Sequence, residues 1–229
     1  MTVRKRALRS LIALSVVFTW LSSSAFNAVI GLGGAARKPS AAAPVTADAA
    51  RYKVDSSQSR FTVQAFAGGL LSAFAHDHTI AIRDIEGNAT FTYGTVEPAS
   101  LSITIKADSL AVTDKIKESD RVKIETTMRN EVLEVSKYPE ITFKSNSVTA
   151  TKTAESQYRA RISGDLTLHG VTRPLTISAQ LEFGDKTLRA RGAFPLKQSS
   201  FDIKPVSVAG GTIKVKDELK FTFDIVAHP

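Results

Sequence analysis

The sequence contains no cysteine. That absence excludes disulfides, thiolate metal sites, cysteine nucleophiles and a lipid attached through an N-terminal cysteine. A metal could rest only on His, Asp or Glu, and His itself is scarce, with four in 229 residues. Catalytic signatures are missing as well: there is no Gly-x-Ser-x-Gly elbow, no His-Glu-x-x-His pair and no Gly-rich phosphate loop. Tryptophan occurs once and methionine twice, and twelve of the aromatic residues are phenylalanine, so what aromatic surface exists is almost wholly apolar.

The formal net charge of +8 suggests an acidic partner until its distribution is read. Residues 1–50 hold six Lys and Arg against one Asp, so +5 of the total lies there and +3 is left for the rest. The remaining basic residues are spread along the chain and not clustered with stacking aromatics, which argues against nucleic acid as a partner. The basic start carries a targeting signal. Arg4, Lys5, Arg6 and Arg9 precede an apolar run from Leu11 to Leu21, and small residues follow at Ser22 to Ala25. Residues 1–25 are expected to be a signal peptide, with cleavage near residue 49, after Ala47-Asp48-Ala49, as the alternative. Because no charge occurs between Arg9 and Arg37, a retained N-terminal membrane anchor is a further alternative. Residues 26–50 read as a flexible linker on their Ala- and Pro-rich composition, and residues 51–229 as one domain.

From Tyr52 onward apolar and polar residues alternate with period two. Leu101, Ile103, Ile105 and Ala107 alternate with Ser102, Thr104 and Lys106, and Leu219, Phe221, Phe223 and Ile225 with Lys220, Thr222 and Asp224. About eight or nine one-sided strands follow, and strands of that kind must close into a barrel or pair as a sandwich to remove their edges. Turns are predicted at Glu86-Gly87-Asn88, Tyr93-Gly94, His169-Gly170, Gly184-Asp185 and Gly210-Gly211. One segment differs. Ile124, Met128 and Val132 recur at helical spacing, which predicts a helix near residues 118–133 that plugs one end of the barrel, capped by Ser119 or Asp120. Tyr138-Pro139 ends it.

Inward parity assigns Phe61, Ile80, Phe143, Leu166, Phe183, Phe194, Phe221 and Phe223 to the interior. Small residues of the same parity (Ala65, Ala67, Ala89, Ala107, Ala160, Gly164, Ala179, Ala190 and Gly192) leave gaps among them. Such gaps suit an apolar chain better than water, although small residues could instead match the taper of a self-filled core.

Two stretches resemble the YceI-like polyisoprenoid-binding family. Ile162 to Thr176, ISGDLTLHGVTRPLT, is similar to that family's Gly-Asp-Leu-Thr strand, His-Gly turn and Val-Thr-Arg-Pro strand. Val132 to Ser145, VLEVSKYPEITFKS, is similar to its helix end and following strand, and Tyr52 to Phe61 to its opening strand. The resemblance implies an all-β, antiparallel, extended lipocalin-like barrel of about eight strands, periplasmic or secreted. It also implies a non-catalytic role, with a bound isoprenoid such as a polyprenyl quinone or polyprenyl phosphate and no other cofactor.

His76 and His78 are the sharpest polar feature, because residues two apart on a strand share a face. They are read as satisfied histidines, as contacts to a ligand head group, or as two ligands of a metal completed by His169, Asp165, Glu86 or His228. His169 is expected to be a turn residue tolerant of unusual backbone angles, and Arg173 to pair with Asp165 across the hairpin. A metal-dependent envelope enzyme using His76 and His78 is thus one alternative function. A structural role, or docking of a membrane-associated redox partner on the helix, is another.

Overall fold

A computed structural model describes residues 49–92 and 99–229. Its strands are β1 (Ala49–Val54), β2 (Arg60–Ala65), β3 (Ala67–Gly68), β4 (His78–Ile82), β5 (Ile85–Thr92), β6 (Ser100–Lys106) and β7 (Leu110–Val112). After the helix α1 (Glu118–Thr127) come β8 (Glu140–Ala154), β9 (Gln157–Leu168), β10 (Val171–Phe183), β11 (Leu188–Lys197), β12 (Ser207–Val208), β13 (Ile213–Val215) and β14 (Glu218–His228). The signal-peptide, anchor and linker expectations for residues up to 48, and the Tyr93-Gly94 turn, lie outside the described residues.

Three of the barrel's staves are interrupted strands. β1 and β2 both run antiparallel to β14, with Val54 opposite Ala227 and Arg60 opposite Asp224. Between them the Asp55 carboxylate accepts the Ser57 and Gln58 amides at 2.9 and 3.3 Å, which folds the chain out and back. β4 and β5 continue each other in the same way against β2 and β1, and β7 and β6 against β4 and β5. With β8, β9, β10, β11 and β14 the staves number eight, each antiparallel to its neighbour in sequence, and β14 closes the ring on β1. Closure satisfies the edges that one-sided strands would otherwise expose.

The period-two reading places the inner face correctly, because the pleat alternates side chains across the wall. Glu86-Gly87-Asn88 is not a turn, however. It lies inside β5, and glycine is needed there because a Cβ on Gly87 would come within 2.4 Å of Ile103 Cδ1 and 2.8 Å of Val54 Cγ2. At Arg83 and Asp84 the chain does not reverse either, but runs on from β4 into β5 in the same direction. His169-Gly170 and Gly184-Asp185 are turns as expected, and Gly210-Gly211 falls in a 3₁₀ turn over Ala209–Gly211.

α1 starts after Lys117, with no side-chain cap from Ser119 or Asp120. Its end widens into a looser turn over Met128–Val132, where the Leu133 amide donates to the Met128 carbonyl at 2.9 Å. The helix is held by polar side chains on the outer edge of β7. Glu125 accepts the Val112 amide at 2.9 Å, Arg121 donates to the carbonyls of Val112 and Asp114, and Arg129 reaches the carbonyls of Asp108 and Leu110. These contacts occupy backbone groups that would otherwise form an open strand edge.

Candidate ligand-binding cavity

The two ends of the barrel differ. At the lower end Tyr52, Phe91, Tyr158 and Phe183 are all at least 92% buried and pack on one another, with Phe183 4.4 Å from Phe91 and 5.6 Å from Tyr158, centroid to centroid. They form a floor. Above it lies a cavity of about 470 Å³ whose wall is aliphatic and aromatic carbon apart from a few polar residues. That volume falls within the roughly 300–1,000 Å³ usual for ligand pockets. At the upper end Lys123 and Val208 line the cavity and are themselves exposed, so it opens to solvent between α1 and β12.

Phe61, Ile80, Phe143, Leu166, Phe194, Phe221 and Phe223 line this space, as parity predicts. Phe183 does not, because it sits one layer lower in the floor. The small residues divide similarly. Ala65, Ala89, Ala179 and Ala190 border the cavity, but a Cβ on Gly164 would lie 2.7 Å from Phe143 Cζ and one on Gly192 2.5 Å from Phe223 Cζ. Those two gaps are already filled by the neighbouring phenyl rings. Ala160 is 99% buried beneath the cavity and takes no part in its wall. Ile124, Met128 and Val132, the helical stripe, supply part of the upper wall, so the helix acts as a partial lid.

His76 and His78 do not share an inner face. β4 begins only at His78, opposite Ala65, and beyond Ala65 the partner chain diverges into β3, which pairs with β13 instead. With no strand beside it, residue 76 leaves the alternation, and His76 is exposed. Asp77 turns back to accept the Ala67 amide at 2.8 Å. His78 does line the cavity. Its Nδ1 lies 2.8 Å from Asp114 Oδ2, and Asp114 also accepts the Thr79 amide at 3.1 Å through Oδ1. A proton on Nδ1 is fixed by that carboxylate, and Nε2 has no hydrogen-bond partner among the described residues. Asp114 carried no sequence signal, since 36 positions separate it from His78. Among the described residues no three His, Asp or Glu side chains gather into a metal site. Near the same mouth Lys123 and Thr127 of α1 add polar atoms to the wall, and Gln198, 95% buried, donates to the Lys216 carbonyl at 3.0 Å.

Arg173 does not pair with Asp165. In the register of the hairpin Arg173 faces Leu166 while Asp165 faces Pro174, so the two charges stand on opposite faces. Arg173 donates instead to the Ser200 carbonyl at 3.1 Å. His169 is a turn residue with φ of 52°, and its Nε2 donates to Glu134 Oε2 at 2.7 Å. The Tyr138 ring packs against the His169 ring, tilted by 56° with the centroids 4.5 Å apart, and a Cβ on Gly170 would meet that same tyrosine at 2.5 Å. Tyr138-Pro139 and the His169-Gly170 turn thus form one structural joint, which fastens the end of the helical segment to the β9–β10 hairpin.

The comparisons with known proteins agree with this architecture. A UPF0312 protein of Pseudomonas putida is 33% identical over 131 residues, which is 57% of this chain and 62% of that protein, so the chain spans less than two-thirds of the relative's length. Among solved structures, Burkholderia cenocepacia BcnA superposes with a TM-score of 0.57 at 18% identity, over 76% of this chain and 98% of that one. A polyisoprenoid binding domain from Saccharophagus degradans superposes with a TM-score of 0.56 at 12% identity, over 77% and 97%. Identities that low speak for the fold alone. The YceI-like domain model matches residues 52–227, nearly the whole ring of strands together with its helix, and the chain belongs to the YceI-like family.

Proposed function

We propose that this chain is an exported carrier that holds a long apolar molecule, an isoprenoid or related lipid of the polyprenyl quinone or polyprenyl phosphate type, and that it is not an enzyme. The observation that carries the reading is the cavity of about 470 Å³, floored by four aromatic rings and walled almost entirely by carbon. Water in such a space would lack the two to four polar partners it needs. A hydrocarbon chain would gain about 0.8 kcal/mol per buried CH₂, so ten carbons are worth roughly 8 kcal/mol before ordering costs. The polyisoprenoid binding named for the Saccharophagus degradans domain supports the same ligand class. The apolar tail would lie toward Phe194 and Phe223, and a polar end would sit at the mouth beside His78, Lys123 and Thr127. Periplasmic or secreted placement follows from the signal-like residues 1–25.

The test is to purify the chain under native conditions, extract it with organic solvent and identify small molecules by mass spectrometry. An apolar molecule near one per chain is expected. A clean blank from protein that also takes up no added polyprenyl compound would overturn the proposal. The metal-enzyme alternative gains no support from the arrangement of His76 and His78, which do not converge.

A further inference from the structure

Among the described residues three of the four exposed large apolar side chains lie at one place, the small sheet of β3, β13 and β12 with the loop that follows β3, beside the cavity mouth; the fourth, Val122, is on α1. Leu70 is 92% exposed, Leu71 42% and Val208 52%. The Leu71 amide donates to the Thr212 carbonyl at 2.9 Å, which fixes the two leucines against the β12–β13 turn. Leucines held out on an ordered hydrogen-bonded loop are a surface offered to something apolar.

The charges on this tip are mostly positive: Asp77, which accepts the Ala67 amide of β3, is the acidic residue within it, and Asp202 and Asp217 stand at its borders. Residues 66–76 contain no Asp, Glu, Lys or Arg, and residues 203–216 contain Lys204, Lys214 and Lys216 with no acidic residue. All three lysines are exposed, and Lys216 extends over the Phe66 ring at 5.9 Å, with its stem along apolar surface. Two projecting leucines ringed by three lysines match a lipid surface of negative charge, where the leucines enter the acyl boundary and each lysine adds about 1 kcal/mol of attraction. The position is as informative as the composition. Val208 belongs both to this tip and to the cavity wall, so a tip seated in lipid would bring the mouth against the bilayer.

We infer that the β3–β12–β13 tip is a docking surface for anionic phospholipid membranes, through which the apolar ligand enters and leaves. The purpose of the docking rests on the carrier function proposed above, while the docking itself is measured without any ligand.

Since the chain has no cysteine, a single one introduced as Leu70→Cys can carry a polarity-sensitive fluorophore, and Lys186→Cys, exposed in the β10–β11 turn at the opposite end, provides the control. Each labelled full-length chain is titrated with vesicles of phosphatidylcholine alone and with 40 mol% phosphatidylglycerol. The probe at 70 is expected to shift to the blue on the anionic vesicles only, the probe at 186 to stay water-like, and added salt to weaken the response. Combining Lys204→Gln, Lys214→Gln and Lys216→Gln should weaken the response at 70 on the order of 100-fold, about fivefold per lysine. The inference is overturned by an unshifted probe at 70 on anionic vesicles, by an equal shift at 186, or by a titration that the three lysine substitutions leave unchanged. A probe at 70 that responds to a protein partner and not to lipid overturns it too. Ligand extraction and probe response can fail independently, so the carrier function and the docking surface are judged apart.

Discussion

His78 and Asp114 join β4 to the segment that leads into α1: Nδ1 and Oδ2 are 2.8 Å apart, and the same carboxylate accepts the Thr79 amide. The bond therefore ties the partial lid to the barrel wall. Both side chains are about a quarter exposed, so the pair is partly screened by water.

Replacing Asp114 by alanine removes the acceptor for two donors at once. Hydrogen bonds to a charged group are worth about 1.5–3 kcal/mol when buried, and with the partial exposure a loss of about 1–2 kcal/mol is expected. Urea unfolding of Asp114→Ala against the parent chain reads it directly. A midpoint unchanged within error would show that the pair is decorative.

The floor and the wall should respond differently to the same truncation. Phe183 is 96% buried among Tyr52, Phe91 and Tyr158, so Phe183→Ala leaves a cavity in packed core and is expected to cost about 3–5 kcal/mol. Phe194 faces existing open space, so Phe194→Ala should cost less stability while reducing the amount of bound apolar molecule. Chemical denaturation and solvent extraction of both variants separate the two effects.

The inner face of the barrel was legible in the sequence, while the contrast between floor and wall was not, for identifiable reasons. Strict alternation in Leu101–Ile105 and Leu219–Ile225 gives the inner face of a strand, because the pleat leaves no other solution once one face is buried. Parity says nothing about height along the barrel, which is why Phe183 looks like Phe194 in sequence yet lies in the floor. It also fails where a strand loses its neighbour, as at His76. Asp114 was invisible because the contact with His78 joins a strand to a loop 36 positions away. Gly87 resembled a turn residue, although its task is to let Ile103 and Val54 approach the backbone.

Acid should destabilise the barrel through its paired carboxylates. Arg189, bonded to both Asp224 oxygens at 2.6 Å, holds the Asp224 carboxyl below its ordinary value, the more so with Arg191 nearby, although slight burial works the other way. Ser199 lowers Asp217, and Ser57 with Gln58 lowers Asp55. A carboxyl depressed in the folded state contributes stability that is present above its unfolded value, 3.8, and is lost as pH falls through the folded one. Asp224→Asn should therefore be less stable than the parent chain at pH 7, and the difference should shrink toward zero as pH falls below about 4. Thermal midpoints of the two chains across that range would show it, and a gap that widens on acidification would contradict the pairing.

The most direct demand on the carrier function is that filling the cavity should expel the ligand without harming the fold. Ala190 lies on β11 between Leu181 and Ile225 across the sheet, and its methyl faces the open space near Phe194 and Phe223. A phenyl group there occupies volume a ligand would need. In a packed core such an insertion costs about 1–3 kcal/mol, but here the ring gains contacts in place of strain, so Ala190→Phe is expected to unfold at the same urea concentration as the parent or later. The control is Ala193→Phe, three residues on along the same strand but exposed on the outer face. Extracts of the parent chain and of Ala193→Phe should contain the apolar molecule in equal amount, and extracts of Ala190→Phe severalfold less. Equal retention by all three would mean that the molecule does not use the space beside Ala190 and binds elsewhere.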